Sequence, residues 1–401
     1  MPASRKLHRV AVVAVGCISS LGAGAAETID SLRKGRDSVA PVTLFDVSGT
    51  RCKTAGEISA QQLAKANNYH SRAKNLSRAS QMMLMALGEA NEQCSGFVPE
   101  RAVIGTTSGG MSFGETFYRS FAEKRPQQQA RHWIREYVPQ QPLINALNAF
   151  AWDVPRQIIS NACASGTNAV GNAFLAVRNG VCQSVVCGGY DALSELVFHG
   201  FDCLQASTPD KCRPFDAERS GLVLGEGAGI LFLEEWEHAV RNGRTILAEI
   251  LGYGSSTDNH HLTQPNPNGN GPRRAMVAAL QQGQVEAAQV DYVNAHGTAT
   301  LYNDASEGRA ILDVCPQSKV SSTKSMMGHS LGAAGAIEAA FCVYALREGF
   351  LPPSINFQNQ DAALPLDLVA NTSIETQAEM ILSNSFGFGG SNASILIKRA
   401  A

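Results

Sequence analysis

The chain has no run of 18 apolar residues, no Cys-x-x-Cys pair, no excess of either charge and no short internal repeat. Each absence excludes something. A bilayer-spanning helix needs roughly 20 apolar residues, so no membrane insertion is expected. The ten cysteines, at 17, 52, 94, 163, 182, 187, 203, 212, 315 and 342, lack zinc-ligand spacing. Scattered through a large chain, they fit a reducing, cytoplasmic setting. With 33 Lys and Arg against 35 Asp and Glu, the formal charge is −2. No general attraction to nucleic acid or to an anionic membrane follows from it. Without a short repeat, any duplication would be structural only.

Glycine is plentiful, but its placement excludes a dinucleotide site. Gly225-Glu226-Gly227-Ala228-Gly229 runs into the strand-like Ile230–Leu233 and opens no helix. The N-terminus imitates a secretory signal, with Arg5, Lys6 and Arg9 before Val10–Val15 and with Ala23-Gly24-Ala25 after it. Strand character and the glycines at 16 and 22 favour a buried first strand instead.

A length of 401 residues suits two or three domains, or one duplicated unit. Strand-like and helix-like runs alternate, so an α/β layered architecture is expected. Strands are expected at Arg9–Gly16, Val103–Thr107, Gln157–Ser160, Ser184–Gly189, Thr245–Tyr253, Tyr292–Ala295 and Ala393–Ile397. Helices are expected at Ala26–Lys34, Tyr69–Glu92, Ala169–Arg178, Pro272–Gln282, Ala305–Leu312 and Ala333–Arg347. Phe113–Gln140 is polar and reads as an exposed cap, and Asn384–Asn392 as a Gly-rich loop.

Cys163 stands out. It lies in Ser160-Asn161-Ala162-Cys163-Ala164-Ser165-Gly166, between an apolar β-branched run and a helix-like run. The start of a helix favours thiolate over thiol. His296 follows in Asn294-Ala295-His296-Gly297-Thr298, and His329 in Met327-Gly328-His329. A cysteine with separated histidine partners is the pattern of a thiol nucleophile. Taken singly, each residue reads more readily as an ordinary buried one.

Six blocks in order carry a resemblance. They are Asn161–Gly166, Arg213-Pro214-Phe215-Asp216, Gly225–Gly229, Asn294–Thr298, Ser322–Ser325 with Gly328-His329, and Asn384–Gly390. From Arg9 onward the chain resembles the elongating β-ketoacyl-acyl-carrier-protein synthases, condensing enzymes of fatty acid and polyketide synthesis. The resemblance implies a thiolase-like fold: two similar α/β halves in five layers, αβαβα, as a homodimer or a heterodimer. The halves would be residues 1–240, with the cysteine and the cap, and 241–401, with both histidines. Two histidines point to decarboxylative elongation, since initiating synthases place an Asn where His329 stands.

The resemblance also implies roles. Cys163 carries the acyl chain, while His296 and His329 hold the enolate of a decarboxylated malonyl thioester. The backbone N–H groups of Cys163 and Phe388 form an oxyanion hole, and Phe388 gates the acyl pocket. Lys324 orders the site, with Glu307 as its expected partner, and Asp304 fixes the loop after Thr300. Thr298 and Thr300 bind a phosphopantetheine arm. Phe386, Gly389 and Ser108 line the substrate path. Asn294, Glu338, Ser383 and Asn384 match a structural K+ or Na+ site, and no other cofactor is required. Arg72, Lys74 and Arg78, with Lys124, Arg125 and Arg131, would steer an acidic acyl carrier protein.

Five departures favour a specialised, polyketide-type member such as an aryl-polyene enzyme: Leu301, Asn303-Asp304, Ser220, Ser391 and Ser108. Two alternatives stand against an active synthase. A non-catalytic chain-length partner would lack the nucleophile. A thiolase would need a second cysteine near the last Gly-rich segment, and Cys342 lies too far before Asn384.

Overall fold

The computed structural model describes residues 7–124 and 130–400. Its main sheet has ten long-range strands: β1 Val10–Ser19, β2 Arg101–Gly105, β3 Arg156–Ile159, β4 Ser184–Asp191, β5 Gly227–Glu235, β6 Ala248–Thr257, β7 Tyr292–Asn294, β8 Lys319–Ser321, β9 Met380–Gly387 and β10 Ser391–Arg399. Their order is β8-β7-β9-β10-β6-β1-β5-β4-β2-β3. Outward from β1, the pairings run antiparallel, antiparallel, parallel, parallel. Outward from β6, they repeat that series. The strand plan is therefore duplicated without a sequence repeat. The two halves join through three residue pairs, Val10–Val12 with Ala248–Ile250.

The principal helices are α1 Arg78–Gln93, α2 Met111–Ala122, α3 Ala130–Tyr137, α4 Ser165–Arg178, α5 Asn270–Gly283, α6 Leu301–Val314 and α7 Ala334–Glu348. α1 covers β1 and β5 on one outer face, and α5 covers β6 and β10 on the other. Between the halves lie α4 and α7, which touch strands of both and each other. The layers are thus αβαβα. Alternation along the strands divides the cores. Val10, Val12 and Val15 of β1 face the central helices, while Ala11, Val13 and Ile18 face α1. In β10, Ile395 and Ile397 point inward and Leu396 points to α5. α7 is buried on every side from Ala334 to Leu346, as a central-layer helix must be.

Gly229 sits where β5 meets the α7 backbone. A Cβ there would lie 2.6 Å from the Ile337 nitrogen and 2.7 Å from the Ala336 carbonyl carbon. Backbone cannot swing aside as a side chain can. Gly229→Ala should therefore destabilise the fold by about 1–3 kcal/mol. A urea midpoint equal to that of the wild type would refute this.

Three expected elements differ. The Tyr69–Glu92 helix begins only at Arg78, because Ser77 caps it by accepting from the Ser80 amide. Residues 65–68 and 73–75 form short 3-10 turns instead. The Asn384–Asn392 loop is mostly strand: β9 runs to Gly387, leaving only Phe388–Gly390 as a turn. Among the described residues of the polar cap, α2 packs on α3. Among the described residues, no helix is long and apolar enough to cross a membrane.

Candidate active site

The site lies at the carboxyl ends of strands in the parallel flanks of the sheet, where an α/β sheet offers its loops. β3 leads to Cys163, β7 to His296, β8 to Lys324 and β9 to Phe388. The β3–α4 turn is tight, with Ala162 left-handed at φ 57°. Gly387 lies against it. A Cβ there would stand 3.0 Å from the Cys163 nitrogen, so a side chain would crowd the turn that glycine lets β9 approach.

The turn, the β7 loop and the segment before α7 converge. Cys163 Sγ and a ring nitrogen from each of His296 and His329 lie within 4.8 Å of one another. The imidazoles meet edge to face, with centroids 5.1 Å apart. All three residues are buried. His296 Nδ1 and both ring nitrogens of His329 have no hydrogen-bond partner, a costly state for buried polar atoms. Phe386 packs edge-on to His296, and Phe388 stacks on Phe201 with centroids 5.5 Å apart. Thr298, Thr300, Phe386, Phe388 and Gly389 line the pocket that opens onto Cys163. The two threonine hydroxyls are 2.9 Å apart, and Thr300 also caps α6.

The electrostatics correct one expectation. Burial pushes the Cys163 thiol up to about 12. The Lys324 charge and the amides of Phe388 and Cys163 pull the other way without prevailing. At rest the group is a thiol, because desolvation outweighs the helix start. Burial first, then Lys324, holds both histidines well below the usual imidazole range. They are neutral at neutral pH, so each ring has one donor and one acceptor nitrogen. The sign of the linkage follows. Below about pH 6.5 the unfolded histidines bind protons that the folded ones refuse, so acidification costs stability. The melting temperature should fall between pH 7 and pH 5, and less steeply in a His296→Asn, His329→Asn double variant. Equal slopes in the two proteins would contradict this.

Lys324 does not pair with Glu307. Its ammonium binds Glu338 of α7, and both side chains are buried. Glu307 instead accepts the amides of His296 and Gly297, each at 2.8 Å, and so holds the histidine loop. Burial first pushes its carboxyl up to about 7. Asp304 reaches back to the Phe215 amide at 2.7 Å.

Ser108 is also corrected. Its hydroxyl turns from the pocket to Asp191, at 2.9 Å. Arg78 is no docking residue. It forms an ion pair with the fully buried Glu226, because that carboxylate needs a cation. Arg72, Lys74 and Lys124 are exposed, whereas Arg125 lies outside the described residues. Asn294 and Ser383 are cross-strand partners 3.1 Å apart. Asn384 binds Ser394 and Glu307, and Glu338 Oε2 has no partner. Sequence reasoning missed Asp191, Glu226 and Phe201. The one signal for Asp191 was an acid closing a strand after Gly188-Gly189.

Comparison with known proteins places the chain in a family. Residues 7–239 match the β-ketoacyl synthase N-terminal domain and residues 247–358 the C-terminal domain. A Synechocystis 3-oxoacyl-[acyl-carrier-protein] synthase 2 is 35% identical, with 99% of each chain covered. Staphylococcus aureus enzymes of that name are 33% identical over 98% of each chain. Among solved structures, the ishigamide ketosynthase/chain length factor superposes with a TM-score of 0.92 at 34% identity, over 98% of this chain and 100% of that one. A ketosynthase in complex with its chain length factor from Xenorhabdus doucetiae gives 0.85 at 27% identity, with each chain fully covered. The chain belongs to the β-ketoacyl synthase family of condensing acyltransferases.

Proposed function

We propose that this protein condenses malonyl-carrier-protein with an acyl chain held on Cys163, as the active subunit of a homodimer or of a heterodimer with a chain-length-factor-like homologue. The observation that carries this reading is the buried meeting of Cys163, His296 and His329 with unpartnered ring nitrogens. A non-catalytic partner would have no need of such a set.

The chemistry follows from the protonation states. The thiol of Cys163 gives its proton to an imidazole acceptor nitrogen and attacks the acyl thioester. The tetrahedral oxyanion faces the amides of Cys163 and Phe388, which also stabilise the thiolate. Such donors typically supply about 10²–10³ in rate. The carrier thiolate leaves and takes that proton from the imidazolium, which returns to neutral. Malonyl thioester then loses CO₂, and neutral His296 and His329 donate N–H bonds to the enolate oxygen. The carbanion attacks the acyl-Cys163 carbonyl, and the Cys163 thiolate is expelled from the β-ketoacyl product. Holding both thioesters in line supplies much of the acceleration. Thr298 and Thr300 would bind the phosphopantetheine arm, and exposed Arg72, Lys74 and Lys124 would steer an acidic carrier protein.

A K+ or Na+ ion fits Asn294, Glu338, Ser383 and Asn384 in part. Buried oxygens are present and Glu338 Oε2 is free, but Asn384 is already bonded. The scattered cysteines favour a reducing, cytoplasmic setting for this enzyme.

The test supplies saturated, polyunsaturated and aromatic acyl carriers with malonyl-carrier-protein and reads the products by mass. A β-ketoacyl product is expected, and the preferred acyl group separates fatty acid from polyene synthesis. No product with any donor, with or without a partner subunit, would sink the reading. His329→Asn should slow malonyl decarboxylation more than acyl transfer. Equal losses would reduce His329 to a packing role.

A further inference from the structure

Asp191 closes β4 and is fully buried. Its Oδ1 accepts the Thr106 hydroxyl at 2.8 Å, the Ser108 amide at 2.8 Å, the Ser108 hydroxyl at 2.9 Å and the Gly109 amide at 3.1 Å. Its Oδ2 accepts the amides of Thr107 at 2.8 Å and Gly332 at 2.6 Å. Every contact is a donor, which is what a carboxylate requires.

These donors come from two segments that serve the reacting groups. Thr107 bonds through its hydroxyl to the carbonyl of Ala162, the left-handed residue before Cys163, at 3.0 Å. Gly332 stands three residues after His329 and is packed so tightly that a Cβ would lie 2.5 Å from the Thr107 nitrogen. The His329 ring makes no hydrogen bond of its own, so its backbone and its packing against His296 set its place. One side of that backbone is held by Val223 and Gly225, and the other reaches Asp191 through Gly332.

We infer that Asp191 is a positioning residue, one that holds the Cys163 turn and the His329 turn in mutual register and so sets the rate of condensation. The inference rests on the function proposed above for that pair. Asp191 also acts on Cys163 by charge, opposing ionisation where Lys324 favours it. The charged and titratable groups around the thiol are therefore Lys324, Asp191, His296 and His329.

Asp191→Asn keeps the shape, removes the charge and turns an amide NH₂ towards N–H donors. In the full-length protein with its carrier substrates, kcat should fall on the order of 10²-fold, the scale of a misplaced reacting group. KM for the acyl carrier should stay within about twofold. Iodoacetamide should label Cys163 several-fold faster at pH 8, as followed by peptide mass, because the charge that opposes ionisation is gone. Slower condensation at a more reactive thiol is a combination that mere loosening of the fold does not produce, since loosening would expose the other buried cysteines too. Unchanged kcat, or unchanged labelling, overturns the inference. If this variant does not fold, Thr106→Val with Ser108→Ala keeps the carboxylate and its four amide donors. It should still lower kcat several-fold, and wild-type turnover would overturn the inference. A wild-type protein that never condenses sinks the functional reading instead, while the labelling comparison still decides whether Asp191 governs Cys163.

Discussion

Cys163→Ala should abolish condensation, by roughly 10⁴–10⁶-fold, the scale on which loss of a covalent nucleophile acts. Intact-mass analysis with acyl carrier thioesters should show an acyl adduct on the wild type and none on the variant. The fold survives, since one small buried group is lost at a cost of about 1 kcal/mol. Malonyl decarboxylation persists in part, because His296 and His329 keep their donors. Cys163→Ser is the sharper control. It retains a nucleophilic atom in the same turn, yet an alcohol ionises less readily than a thiol already pushed up to about 12. An adduct on Cys163→Ala, or elongation by it, would remove Cys163 from the mechanism.

Breaking the ion pair between α7 and the β8 loop has the second large effect. Lys324 and Glu338 are each about 2% exposed. Glu338→Ala leaves an ammonium without its carboxylate in the protein's middle layer. Removing one partner of a buried pair costs about 3–5 kcal/mol. The variant should melt well below the wild type and lose activity with its fold. A Lys324→Met, Glu338→Leu double variant separates the two losses. Apolar replacement of both partners is often neutral, so its stability should return. Its activity should not, because Lys324 is the cation that most favours the Cys163 thiolate. A double variant that regained full turnover would make the pair purely structural. A stable Glu338→Ala would mean that another group takes up the Lys324 charge.

Much of the site was legible because its residues sit in local sequence signatures. A β-branched run followed by small residues and a helical run announced the Cys163 turn, and Gly-rich turns after strands announced His296 and His329. What failed was long-range and depended on side-chain direction. Lys324 lies 17 residues from Glu307 and 14 from Glu338, and only the packing of α7 against the β8 loop selected the second. Ser108 belongs to the strand-end segment that spacing suggested, but its hydroxyl turned to Asp191 because a buried carboxylate draws every available donor. Arg78 looked like one of three exposed cations until Ser77 began a helix that delivered it to Glu226.

The sequence by itself determined the layered α/β order, the candidate set of Cys163, His296 and His329, and the family, since these depend on periodicity and on short motifs. The tertiary structure alone decided three things. The strand plan is duplicated, although no sequence repeat marks it. Cys163 rests as a thiol, because desolvation is a property of the assembled core and exceeds the pull of a helix start. The partners of the buried charges are Glu338, Glu226 and the loop amides around Asp191. Burial makes an unpaired charge so costly that the fold chooses partners by proximity in space, which spacing along the chain does not encode.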